Sequence, residues 1–483
     1  MSVGTVANIE PTRPHISPPA VTNLAASAVT LGIADSQIFA SNADTITQTA
    51  QHWIADGVRA VRIGIPWANV ETSPGNFNWV QADRVIEAAT AANASIICAM
   101  TTSPLWAMKT GGIVPNGRPA SVGRYADFAA AVANRYRGRI SAYEIWNEPN
   151  GVLGYSPAPD PAGYTEMLQA AYPRIKAADP NAVVVGGVLG SGTTLGNLTI
   201  NPVTFLTKMY VAGAGPYFDA LSYHPYDYGR RFSAGMTTTD SPVDQLIRLR
   251  KLMILNGDAA KKIWATEFGI PTNRVSEATQ AAYISDMIST WQELPYAGPL
   301  MIYTTRDINS ASGFDEHRFG IYHSDWSPKP ARQVVSNPPG TSAAYQQFST
   351  VVDPGLGEVL SPVFPVSTAY AQHRTGSTLW SVGSQFVSSP LPVGELAVSR
   401  KVIPKSVFTN GYQDFSGSTP VRIWYTPATG AHWGGMPFAN AWTAQLGSAT
   451  SNETGFGLTR MNFEHGYITW TPFIGTKVFL TAP

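Results

Sequence analysis

The chain of 483 residues contains one cysteine, Cys98, so no internal disulfide can form and no zinc site can be built on cysteine. Its setting, "ASIICAM", reads as a buried strand, and Cys98 is expected to be a small core residue, not a nucleophile. Charge is also scarce: 13% of the residues are charged, and 32 Lys and Arg balance 32 Asp and Glu. Without a basic cluster there is no electrostatic footprint for nucleic acid or an anionic membrane, and neither is expected as a partner. No apolar run reaches the length that spans a bilayer. The opening residues, "MSVGTVANIEPTRPHISPPAV", lack the basic-then-apolar order of a secretory signal.

What is present is a core-forming composition, 44% hydrophobic with abundant Trp, Tyr and Phe, in a chain long enough for two domains. Residues 1–28 read as an N-terminal extension. From 29 to 335, short apolar runs alternate with amphipathic helical stretches. The runs include "VTLGIAD" (29–35), "VRAVRIGIPW" (58–67), "ISAYEIWNE", "FDALSYHPY" (218–226), "KIWATEFGI" (262–270) and "PLMIYTTRD" (299–307). With "ASIICAM" and "AVVVGGVLG" they number eight, and regular strand–helix alternation implies parallel strands joined by right-handed crossovers. Eight units in about 300 residues predict a (β/α)8 TIM barrel, α/β in class. An open doubly wound sheet is the competing fold, but "LGIADSQ" is not the Gly-rich phosphate turn such a sheet places after its first strand.

Function in such barrels gathers at the C-terminal ends of the strands. The ends of the runs nominate Arg62, Trp67, Trp106, Asn147, Glu148, His224, Tyr226, Glu267, Tyr303 and Arg306. Two carboxylates, an Arg, a His and several aromatics on one rim fit glycoside hydrolysis, which needs one carboxylic acid and a second carboxylate as nucleophile or base. Aromatic faces add stacking area for sugar rings. None of the eight His residues shows metal-ligand spacing, so no metal and no cofactor are expected. Glu144, four residues before Glu148, is expected about 13 Å deeper along the strand and reads as a satisfied polar residue within the barrel or its wall.

"EIWNEPN" and "WATEFGIP" resemble the acid/base and nucleophile motifs of clan A retaining glycoside hydrolases, most similar to family 39 and nearby parts of family 5. The resemblance covers roughly residues 29–335. It implies Glu148 as general acid/base, Glu267 as nucleophile, Asn147 on the sugar 2-hydroxyl and Arg62 paired with the nucleophile. It further implies His224 and Tyr226 lining the catalytic subsite. Trp67 and Trp106 are expected to bind substrate. The eighth run departs from the pattern, which often has a Trp platform there; Tyr303 is the expected substitute.

Residues 336–365, rich in Pro, Gly and Ser, read as a linker. Beyond it, from 366 to 483, Trp380, Tyr425 and Trp470 recur every 45 residues, the mark of a small repeat domain. "FSGSTPVRIWYTPATG" and "FEHGYITWTPFIG" resemble LGFP repeats of actinobacterial envelope proteins. That resemblance implies wall attachment, an extracellular or cell-envelope location, and a wall or capsule glycan such as arabinogalactan as substrate. The competing readings are a non-catalytic glycan-binding or adhesion protein and a transglycosidase acting on the same glycan.

Overall fold

The computed structural model describes Leu24 and residues 30–481. The N-terminal extension lies outside the described residues except for Leu24, which packs among the residues of the barrel interior. Eight parallel strands close into a barrel in sequence order. They are β1 (Leu31–Ala34), β2 (Ala60–Pro66), β3 (Ser95–Thr101), β4 (Ala142–Ile145), β5 (Val183–Gly190), β6 (Ala220–His224), β7 (Ile263–Phe268) and β8 (Ala297–Tyr303). Nearly every strand residue is buried, as parallel strands covered on both faces require. Hence the continuous apolar runs.

The crossover helices begin where a polar side chain can cap them. Asn42, Ser121, Asp160, Asn201, Ser241 and Ser276 each accept from a backbone N–H of the first turn. Their apolar faces and the outer faces of the strands form one large core. The loop after β8 is held by a fully buried pair, Lys329 Nζ to Asp307 Oδ1 at 2.7 Å, with Thr272 Oγ1 as a second acceptor at 3.1 Å. Among the described residues no helix is long and apolar enough to cross a membrane.

The connection 336–365 is pinned to the barrel. Glu293 accepts from Ser342 Oγ (2.6 Å) and Val363 N (2.9 Å), and Tyr296 Oη donates to Leu360 O (2.7 Å). The smaller C-terminal domain is built from three four-stranded antiparallel sheets. Their third strands are Ser377–Val382, Val421–Thr426 and Gly466–Thr471. The helix Leu391–Ser399 lies between the first two sheets, its Val393 and Ala397 sharing a core with Trp380, Val421 and Ile423. The helix Met436–Ala441 repeats the arrangement, Phe438 packing with Trp424, Met461 and Ile468.

The expected phase of the repeat therefore needs correction. Trp380 and Trp424 fill the same place, 44 residues apart, each facing the helix that follows its own sheet. Tyr425 and Trp470 are equivalent to each other but lie on the opposite face, toward the preceding helix. A one-residue offset in a strand exchanges its faces, so an even spacing in sequence concealed a change of side.

Candidate active site

After Ile145 the backbone turns sharply. Trp146 (φ 73) and Glu148 (φ 46) both adopt the left-handed conformation that non-glycine residues seldom occupy. The turn is held by Glu148 N donating to Val188 O (2.9 Å) and by the Trp146 indole donating to Gly154 O (2.6 Å). At Gly190 a Cβ would sit 3.1 Å from the Glu148 carboxyl, so glycine keeps that space open. Glu148 thus projects into the barrel mouth with its side chain 37% exposed.

Opposite it, Glu267 leaves β7 with 13% of its side chain exposed. Ligating atoms of Glu148, His224 and Glu267 all lie within 4.8 Å of one another. The same atoms are close enough to share a cation. The trio is drawn from β4, β6 and β7, so spacing along the chain gives no sign of it.

Arg62 organises the floor of the site. Its Nη1 pairs with Glu267 Oε1 and donates to Ser36 Oγ (2.9 Å), while Nε donates to Glu144 Oε2 (2.6 Å) and Nη2 to Asn147 Oδ1 (2.7 Å). Ser36 Oγ donates in turn to Glu267 Oε1 (3.3 Å), and Tyr226 Oη donates to Oε2 (3.0 Å). Burial alone would push the Glu267 carboxyl up. The Arg62 charge, His224 and the bonds from Tyr226 and Ser36 outweigh it, and hold Glu267 below its ordinary value. Burial and the Glu267 charge push the Tyr226 hydroxyl well up, which keeps it a donor. With Oδ1 bound to Arg62, the Asn147 amide has its N–H2 left to donate, with no partner among the described residues.

His224 is fully buried. Its Nδ1 lies 3.1 Å from Glu148 Oε1, and its Nε2 lies 3.0 Å from Thr266 Oγ1, which is 2.6 Å from Ser222 Oγ. The two hydroxyls can donate or accept and so suit Nε2 in either form, while the Nδ1 contact needs one proton, on the ring or on the Glu148 carboxyl.

Glu148, Glu267, Arg62, Asn147, His224 and Tyr226 thus meet at one centre. Trp67 does not. It is fully buried, stacks on Phe128 (5.6 Å), and its indole donates to Glu71 Oε2 (2.6 Å), leaving no face for a sugar. It opens the one-turn helix Trp67–Val70, which turns its side chain into the core outside the barrel. Trp106 is half-buried, edge-on to Trp67 (5.6 Å) with its indole on Glu71 O (3.0 Å), and anchors the loop after β3. Tyr303 is at the mouth but almost wholly buried, its ring against Phe319 (5.2 Å) and its hydroxyl between Gln37 and Glu316; it is not an open platform. Ser36, Thr266 and Glu316 went unseen in the sequence. Only the position of Ser36 just after the first run could have marked it.

A closed parallel barrel with two close carboxylates on β4 and β7 has the build of a retaining glycosidase. The chain belongs to the cellulase family, glycosyl hydrolase family 5, whose model matches residues 24–295, more than half its length. It is a clan A glycoside hydrolase of the retaining type, and its substrate is a carbohydrate. The fold is similar to that of a family 39 glycoside hydrolase from Bacteroides cellulosilyticus WH2 (TM-score 0.54, 17% identity, 86% of this chain and 80% of that one). It is also similar to a variant of GH5_18 from Streptomyces cattleya in complex with Manb1-4GlcNAc (0.51, 14%, 68% and 82%). A third is GH5_18 from Bifidobacterium longum subsp. longum (0.50, 14%, 68% and 81%). No curated protein matches the chain.

Proposed function

We propose that Glu267 is the nucleophile and Glu148 the general acid/base of a double displacement. The observation that carries this is the pair of carboxylates within 4.8 Å, one on Arg62 and the other on His224. Glu267 Oε1 is engaged by Arg62 and Ser36, so Oε2, with its single bond from Tyr226, is the attacking oxygen. Oε2 bonds to the anomeric carbon, the bond to the aglycone oxygen breaks, and Glu148 gives its proton to that oxygen. Glu148, now ionised, takes a proton from water as the water oxygen attacks the same carbon and frees Glu267. Asn147 holds the 2-hydroxyl, a contact that tightens as the ring flattens.

For the substrate we propose a poly- or oligosaccharide of the actinobacterial wall or capsule, such as arabinogalactan, met outside the cell or in its envelope. The LGFP-like motifs of the C-terminal domain support this reading, with that domain as the wall anchor. The test is a screen of wall polysaccharides and of aryl pyranosides and furanosides, with Glu148→Ala and Glu267→Ala as controls. Glu267→Ala is expected to lose on the order of 10^4-fold in kcat, with azide restoring turnover as a glycosyl azide of inverted configuration. Glu148→Ala should lose about 10^2–10^4-fold on poor leaving groups and much less on activated ones. Near-normal turnover by Glu267→Ala would refute the assignment. Failure of the full chain to sediment with insoluble wall would refute the anchor.

A further inference from the structure

One acidic side chain at the barrel mouth takes no part in the double displacement. Glu316 lies in the short turn Asp315–His317 of the loop after β8. Its Oε2 accepts from Tyr303 Oη (3.2 Å), and that hydroxyl accepts from Gln37 Nε2 (3.1 Å) in the loop after β1. Gln37 adjoins Ser36, which donates to Glu267. The side chain is therefore fixed in place yet exposed, and its Oε1 has no hydrogen-bond partner among the described residues. No cation pairs with it there either: the guanidinium of Arg274 is taken by Asp315 (2.8 Å).

The surroundings continue the theme. Beside Gln37 opens a cavity of about 500 Å3, lined in part by Ser36, Gln37, Asn69, Asn78 and Gln81, which are uncharged and hydrogen-bonding. That is within the size range of small-molecule sites. In a double displacement the sugar that stays behind is bonded to the nucleophile, and Ser36, Gln37, Tyr303 and Glu316 are all on the Glu267 side.

We propose that Glu316 is a specificity-determining residue of the glycone site: its carboxylate receives hydroxyls of a neutral sugar and turns away sugars that carry a carboxylate. A neutral glycone offers donors to the free Oε1. A uronic acid would bring a further negative charge against Glu316 and Glu267, and the Arg62 beside Glu267 is already shared with Glu144. The proposal rests on the glycosidase reading and extends it to the class of sugar bound.

The test uses the full chain and whichever neutral 4-nitrophenyl glycoside the wild type turns over fastest. Glu316→Gln and Glu316→Ala are expected to raise KM on the order of 10-fold, the scale of a hydrogen bond to a charged group, with kcat within about 3-fold. Glu316→Asp should recover part of the loss. Inhibition by glucuronate, read against the same substrate, should strengthen on the order of 10-fold in Glu316→Gln. Tyr303→Phe frees Glu316 from its tether without removing its charge, and should leave weak inhibition by glucuronate unchanged. Unchanged KM and unchanged inhibition in Glu316→Gln would overturn the proposal while leaving the Glu148 and Glu267 assignments intact. So would a melting temperature lowered in Glu316→Gln and Tyr303→Phe alike with the same rise in KM, since that marks a structural role. Retained turnover in Glu267→Ala would instead overturn the underlying reading.

Discussion

Replacing Arg62 by methionine separates an electrostatic account of the site from a packing account. Arg62 is 1% exposed, and its guanidinium meets both Glu144, which is wholly buried, and Glu267. Methionine fills much of the stem but leaves two buried carboxylates without their cation. Removing one partner of a buried pair costs about 3–5 kcal/mol. At a few degrees per kcal/mol, that is a fall in Tm on the order of 6–10 °C at pH 7. The dependence on pH is the sharper signature. In the wild type burial raises the Glu267 carboxyl, but Arg62, His224 and the bonds from Tyr226 and Ser36 together outweigh it, so its folded value is depressed. A depressed value contributes stability that is present above the unfolded pKa of about 4.3 and is lost as pH falls through the folded one. Without Arg62, burial dominates and the folded value rises above the unfolded one. Stability is then fullest below about pH 4.3 and drains away as pH rises. The Tm deficit of Arg62→Met should accordingly widen from pH 4 to pH 7 in thermal unfolding. The acid limb of its kcat/KM profile on an aryl glycoside should move to higher pH. A deficit equal at both pH values, with the acid limb unmoved, would refute the electrostatic account.

Other substitutions test neighbouring parts of the structure. Thr266→Val removes the hydroxyl beside His224 Nε2, leaves a buried ring nitrogen unpaired, and should cost about 1–3 kcal/mol by denaturant unfolding. It should also lower kcat on the order of 10-fold with little change in KM. Trp67→Ala should cost about 3–5 kcal/mol of stability while KM for soluble aryl glycosides holds, because the ring is core and not cleft. Cys98 is fully buried, and burial with the nearby Glu144 charge pushes its thiol well up. It should react with a thiol reagent in denaturant and stay unlabelled in the native protein.

The barrel was legible because its strands are covered on both faces and so read as unbroken apolar runs. Glu148 and Glu267 were legible as candidates because a carboxylate at the end of such an apolar run is unusual. Their supports were hidden. Arg62 and Glu144 are 82 residues apart, and nothing local marks Glu144 as the second anchor of the guanidinium. Ser36 and Thr266 belong to residue types too common to stand out until the fold brings them to a carboxylate and an imidazole. Trp67 misled for a physical reason: a strand end predicts the mouth, but a single helical turn beginning at that residue carries its side chain outward. In the tail, the even spacing of aromatics was real. Which face each occupied depended on a one-residue offset that spacing alone does not reveal.

The proposed division of labour between the two carboxylates rests on their surroundings. A nucleophile must be ionised while buried, and Glu267 has Arg62, Ser36 and Tyr226 turned toward it for that purpose. An acid must hold a proton and, one step later, deprotonate water. Glu148 has no cation bound to it among the described residues, is more open to solvent, and touches only the imidazole of His224. Reversed roles would ask Glu267 to keep a proton against a guanidinium. Arg62 opposes this by its charge, since protonating Glu267 would surrender the ion pair that offsets the burial of both groups. The proposed assignment accordingly follows which carboxylate the strand-2 arginine reaches.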